Sequence, residues 1–227
     1  MALERSWPQL VQHMAEVVTE ANRGTRPARL LNVGAGKDAW IERRIAGLAR
    51  DFVVDRVDVV NPAVDYEHVG DCWQCSVEAM EPVPSAYYDG AFANYVLEHV
   101  GDVAAAADEL FRVLRVGGLF AATFSNSKAP EMRLAKHTPT WFHALFTGKG
   151  HSCDTHYSYG SVADLVGIFE ASGWRTIELA YEPVAHWYLS QLGVPLLPTL
   201  GSAYDALLDR LQWSGGMGHV FAYFAKP

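Results

Sequence analysis

Gly34 and Gly36 stand one residue apart in the stretch LLNVGAGKDAW, after an apolar run and before what reads as a helix start. Glycines so placed let backbone approach a ligand, and the free N–H groups of a helix start offer it donors. With Ala39 they also fit the dinucleotide pattern G-x-G-x-x-G/A, whose third small residue lets helix and strand pack closely. That pattern recurs widely, so residues further along must say what the loop holds. Asp58, or else Asp55, is positioned to accept hydrogen bonds from both hydroxyls of a ribose, and Asp58 in VDVVNP lies nearer the exit of its apolar segment. Asp71 in VGDCW, with Cys72 beside it, suits the exocyclic amine of an adenine, and Asn94 and Tyr95 in GAFANYVLEHV emerge next to the same crevice. Together with Gly34, Ala35 and Gly36, these places agree on one adenosine-containing ligand.

The elements that must position these residues alternate. Leu10, Val11, Met14, Val17 and Val18 recur at helical spacing behind Ser6 and Pro8, giving an N-terminal helix within residues 1–25. ARLLNV reads as a first strand, and its nearly continuous apolar run suits a strand covered on both faces. Ile41, Ile45 and Leu48 supply the stripe of a second helix, and FVVDRVDVV a second strand. A short third strand is expected to end near Val69, with Asp71 at its exit, and YYDGAFANYV forms a fourth. GDVAAAADELFRVLR then forms a helix that Gly117-Gly118 stops before the strand LFAATF. SVADLVGIFEASGW, RTIELAYEP, SAYDALLDRLQW and HVFAYFAKP restore helix, strand, helix and final strand. The pattern predicts an α/β, doubly wound, mostly parallel sheet within a single domain, 1–227, with an insertion at 125–160 beyond the fifth strand.

The 26 acidic residues against 18 basic ones give a formal charge of −8, with no clustered basic run for a phosphate backbone, so no nucleic-acid partner is expected. The first residues carry acid and Pro where a signal peptide would be basic and then apolar, and no segment approaches a membrane span, so a cytoplasmic location is expected. Cys72 and Cys75 form a C-x-x-C pair, with His151, Cys153 and His156 elsewhere. Pairs alone do not make the four-ligand set zinc needs, and no metal is expected.

At this point the chain resembles the class I S-adenosylmethionine-dependent methyltransferases, in particular their small-molecule branch. LLNVGAGKDAW corresponds to the cofactor loop, VDVVNP to the ribose-binding strand end and VGDCW to the adenine-side acid. YYDGAFANYVLEHV and ELFRVLRVGGLFAATF continue the likeness, which is strong over 28–125 and looser over 160–227. It implies a seven-stranded Rossmann-like sheet whose last strand lies antiparallel between the fifth and sixth, and S-adenosyl-L-methionine as cofactor. Asn32, a candidate cofactor-binding residue, departs from the family, which usually carries an acid there; an amide can still organise the loop or reach the methionine part of the cofactor by hydrogen bonding, without the charge.

Transfer of a sulfonium methyl group chiefly requires positioning and exclusion of water. A hydroxyl acceptor also needs a base. The insertion supplies His143 and His156 as candidate bases, beside His137 and His151, with Trp141, Phe142, Phe146, Tyr157 and Tyr159 as an aromatic wall. The expected function is methylation of a small-molecule or glycan-like acceptor, at oxygen. A nicotinamide-dependent oxidoreductase and a non-catalytic methyltransferase-like binding domain are the alternatives, and homo-oligomerisation is left open. The usual signature of nucleobase amino-methylation is lacking: that place reads Asn94-Tyr95-Val96-Leu97.

Overall fold

The computed structural model describes residues 6–130, 132–133, 157–191 and 193–227. Strands β1 (Ala28–Val33), β2 (Phe52–Asp58), β3 (Val69–Gln74), β4 (Tyr88–Asn94), β5 (Leu114–Ser125), β6 (Arg175–Glu182) and β7 (His219–Ala225) form one sheet. Its order is β3-β2-β1-β4-β5-β7-β6. The first five strands are parallel, and β7 runs antiparallel between β5 and β6, as the resemblance implied. The helices are α1 (Ser6–Ala21), α2 (Trp40–Ala46), α3 (Val103–Val113), α4 (Val162–Ala171), α5 (Ala185–Ser190) and α6 (Leu197–Leu211).

Apolar residues on successive positions of the strands serve two cores, one on each face of the sheet. Leu30, Val54 and Phe92 pack with Leu10 and Met14 of α1 and Ile45 of α2. Leu31, Val57 and Ala91 pack on the other face with Leu110 of α3 and Leu165 and Phe169 of α4. The N-cap residues of α3 and α4 cap them with their side chains, Asp102 accepting from the Ala105 amide and Ser161 from that of Asp164.

Several boundaries differ from the sequence-based expectation, each for a local reason. Helix α2 ends at Ala46, so Leu48 is outside it and 58% exposed rather than part of its stripe. Strand β3 begins at Val69 instead of ending there, because an edge strand needs no apolar run to be recruited by β2. Gly117-Gly118 does not cap a helix. It lies in an irregular stretch of β5 between Leu114, which pairs with Tyr88, and Leu119, which pairs with Gly90. Gly117 has φ +79° and its amide donates to the Lys226 carbonyl at 2.9 Å, so the pair turns the backbone toward the end of β7. The short helix α5 has no counterpart in the sequence reading.

Candidate functional site

The crevice opens where β1 and β4 end, and it is lined by Asn32, Gly34, Gly36, Lys37, Glu42 and Asn94 among others. Gly34 and Gly36 both take the left-handed conformation, φ +65° and +64°, that side chains disfavour. The amides of Gly34 and Ala35 donate to the Val57 carbonyl at 2.8 and 3.2 Å and tie the loop to the end of β2. A Cβ on Gly34 would overlap the Val96 side chain, whereas one on Gly36 would meet nothing within 4 Å. Gly34 is therefore required by packing, and Gly36 faces open space.

Asp58 sits at the rim with this loop: its Oδ2 accepts from the Gly36 amide at 2.9 Å and its Oδ1 from that of Val60 at 3.0 Å. Asp55 is turned elsewhere. It is buried, accepting from the Tyr88 hydroxyl at 2.9 Å and the Asp71 amide at 2.8 Å, and burial pushes its carboxyl above the usual range. Asp71 itself lies inside β3, and Gln74 is the residue that pairs with Asp58 at the strand end. Three residues of strand, about 10 Å, thus separate Asp71 from the rim where the sequence reading put it. The Cys72 thiol lies 4.0 Å from the Pro62 carbonyl, and burial pushes its pKa up. Among the described residues no three His, Cys, Asp or Glu side chains converge as for a metal ion, and Cys72 and Cys75 are free thiols.

Beneath the loop is a cluster that sequence reasoning missed. Arg56, fully buried, stands directly beside Asn32 across β1 and β2. Its Nη1 donates to Glu42 Oε1 at 2.6 Å, and its Nη2 reaches the carbonyls of Ala35, Gly36 and Asp38 at 2.7, 3.2 and 2.9 Å. Asn32 Nδ2 donates to the same Glu42 oxygen at 2.7 Å. Burial raises the Glu42 pKa, opposed by the Asn32 hydrogen bond and the Arg56 charge. A signal existed. Phe52, Val54 and Arg56 share one strand face, and a charge among such neighbours demands a buried partner.

Asn94, which also lines the crevice, stands where the ends of β4 and β5 meet the start of β7. Asn94 Oδ1 accepts from the Thr123 hydroxyl at 2.7 Å. Tyr95, the next residue, has φ +54°, unusual for a non-glycine, and its hydroxyl meets His219 Nδ1 at 2.7 Å. Because β7 is antiparallel, His219 at its start lies level with Ser125 and Glu182 at the ends of β5 and β6. Tyr95 is thereby turned toward β7. Glu98, also buried, accepts from the Ser125 hydroxyl at 3.1 Å. The expected bases His143 and His156 lie outside the described residues, as do His137, His151 and Cys153.

Burial lowers the His219 pKa from 6.5 to about 4. A histidine with a depressed folded pKa adds stability above its unfolded pKa and loses it as pH falls toward the folded value. Relative to His219→Asn, the wild type should accordingly lose about 3 kcal/mol between pH 6.5 and 4. Urea denaturation of both proteins across that window checks this; a constant difference would mean that His219 is not held neutral by burial.

An antiparallel strand between β5 and β6 separates this sheet from dinucleotide-binding sheets of order 3-2-1-4-5-6. The architecture is that of a Rossmann-like methyltransferase. Comparison with known proteins goes one step further: a family model described as "Methyltransferase domain" matches residues 3–179, and the chain belongs to that family. The nicotinamide alternative is set aside accordingly.

Malonyl-[acyl-carrier protein] O-methyltransferase of Salmonella typhimurium is 29% identical over 131 residues, 56% of this chain and 51% of that protein. A Mycolicibacterium smegmatis protein named as a probable S-adenosylmethionine-dependent methyltransferase is 30% identical over 148 residues, 64% of this chain and 54% of its own length. The chain thus spans about half the length of these curated relatives. Among solved structures, geranyl diphosphate C-methyltransferase from Streptomyces coelicolor superposes with TM-score 0.60 at 14% identity, covering 95% of this chain and 77% of that one. The [4+2]-cyclase SpnF gives TM-score 0.60 at 18% identity, covering 99% and 83%. At such identities the likeness is one of fold.

The cofactor is S-adenosylmethionine, and the crevice fits it. The open side of Gly36 admits a ligand against backbone, and the buried Glu42 Oε2 has no hydrogen-bond partner among the described residues. Gly34, Ala35 and Gly36 would hold the amino-acid part and Asp58 the ribose. Asp58→Ala should weaken cofactor binding by about 1–3 kcal/mol, because the ribose hydroxyls lose their charged acceptor. Calorimetry with S-adenosylhomocysteine reads this directly, and an unchanged Kd would remove Asp58 from the ribose role.

Proposed function

We propose that the protein transfers the methyl group of S-adenosylmethionine to an oxygen atom of a small-molecule or glycan-like acceptor. The observation that carries this reading is the Tyr95–His219 pair next to Asn94 at the end of β4, where Tyr95 keeps a left-handed backbone conformation that costs a non-glycine residue energy. The cofactor supplies an electrophilic methyl on sulfur when bound. The chain must hold the acceptor in line and keep water away. An acceptor hydroxyl gives up its proton as its oxygen bonds to the methyl carbon. That proton passes to the Tyr95 oxygen while the Tyr95 proton moves to His219 Nδ1, a transfer opposed by the burial that lowers the imidazole pKa to about 4, and the methyl–sulfur bond breaks as the oxygen–carbon bond forms.

The name of the Salmonella typhimurium relative, an O-methyltransferase, supports oxygen as the target. The charge of −8 favours a small acceptor over nucleic acid. Residues 125–160 are proposed as the wall over the acceptor, with His143 and His156 as further bases. Turnover with methyl-labelled cofactor against panels of hydroxy acids, phenols and sugars tests the reading. A methyl found on carbon or nitrogen would overturn it. Tyr95→Phe should lower turnover about 100-fold with cofactor affinity retained, the usual scale of a general base.

A further inference from the structure

We propose that Glu42, from helix α2, is the anionic group that receives the ammonium of the cofactor's amino-acid part, supplying the charge that the amide at Asn32 does not. This rests on the cofactor assignment and is independent of the acceptor.

The geometry points to it through the two oxygens of one carboxylate. Oε1 is fully engaged, taking Arg56 Nη1 at 2.6 Å and Asn32 Nδ2 at 2.7 Å. Oε2 is buried and has no partner among the described residues. An arginine fork favours two parallel bonds to a carboxylate, yet this pair is joined through one nitrogen and one oxygen, and Arg56 Nε is likewise without a partner. The remaining reach of the guanidinium goes to the loop carbonyls instead. A buried carboxylate oxygen left bare is costly unless a donor comes to it. Glu42 is 1% exposed overall and lines the same crevice as Gly34, Gly36 and Asn94, so the available donor is the ligand.

Charge agrees with this assignment. Arg56 already balances Glu42, and S-adenosylhomocysteine brings an ammonium together with its own carboxylate, so its amino-acid part adds no net charge beneath the loop. Asn32 is then the suitable neighbour: its amide donates to Oε1 and leaves Oε2 unoccupied. An aspartate at 32 would set a second carboxylate against Oε1 at the same 2.7 Å.

Three ligands separate the roles by calorimetry. S-adenosylhomocysteine carries amine and carboxylate, decarboxylated S-adenosylmethionine carries the amine alone, and 5′-methylthioadenosine carries neither. Glu42→Gln should weaken the first two by about tenfold or more, as expected for losing a charge-assisted bond, and leave 5′-methylthioadenosine within about twofold of wild type. An equal loss for all three would make Glu42 a support for the loop only, and no loss would leave the ammonium to other groups; either overturns the proposal. Wild-type protein that binds none of the three would overturn the cofactor assignment itself. If Glu42→Gln folds poorly, combining it with Arg56→Met removes the unpaired guanidinium, and the ratio among ligands remains the readout.

Discussion

Arg56→Met should lower folding stability by about 3–5 kcal/mol, the usual effect of removing one member of a buried ion pair. Arg56 is fully buried. The Glu42 carboxylate would keep the Asn32 amide and lose its cation, while the carbonyls of Ala35, Gly36 and Asp38 would lose their donor. The same substitution should loosen the glycine loop and weaken cofactor binding. Combining it with Glu42→Leu separates the two effects. Replacing both charges by apolar groups of similar volume is often neutral for folding, so the double variant should recover most of the stability and none of the affinity. Urea denaturation and calorimetry with S-adenosylhomocysteine measure both quantities. Stability within about 1 kcal/mol of wild type for Arg56→Met would show that the pair contributes little.

Gly34→Ala should cost about 2–5 kcal/mol, from the left-handed conformation at φ +65° and from overlap with Val96. The closest overlap is with the two γ carbons of Val96, so Val96→Ala in the same chain should relieve most of it and leave chiefly the backbone strain. Gly36→Ala provides the contrast. Its φ is +64° but nothing lies within 4 Å of the added carbon, so its cost to folding should be about 1–2 kcal/mol. Its effect on affinity should be the larger one, since the methyl group enters the space a ligand would use. Thermal denaturation together with cofactor titration distinguishes the two glycines. Equal stability losses at both positions would mean that Val96 does not constrain the loop.

Much of this protein is legible in its sequence because the relevant information is local. Strand β1, the glycine pair and helix α2 follow one another within LLNVGAGKDAW, and the period of apolar residues there changes from strand to helix. The alternation of strands and helices, the double coverage of β1, β2 and β4, and the place of Asp58 follow from patterns a few residues long. Where the pattern was weak, position slipped. The edge strand β3 lacks a continuous apolar run, and a boundary displaced by a few residues carried Asp71 from the interior of the strand to its end.

What tertiary structure alone decided are the pairings across long separations. No spacing in the sequence links Tyr95 to His219, 124 residues later; the antiparallel return of β7 sets them against each other. The same holds for the acid that position 32 lacks. Asn32 by itself reads as a lost charge, but Glu42 and Arg56, 10 and 24 residues further along, close over it from α2 and β2. A strand or helix is selected by its own residues, whereas a buried charge is tolerated only where packing brings its partner, and that depends on how the whole sheet is assembled.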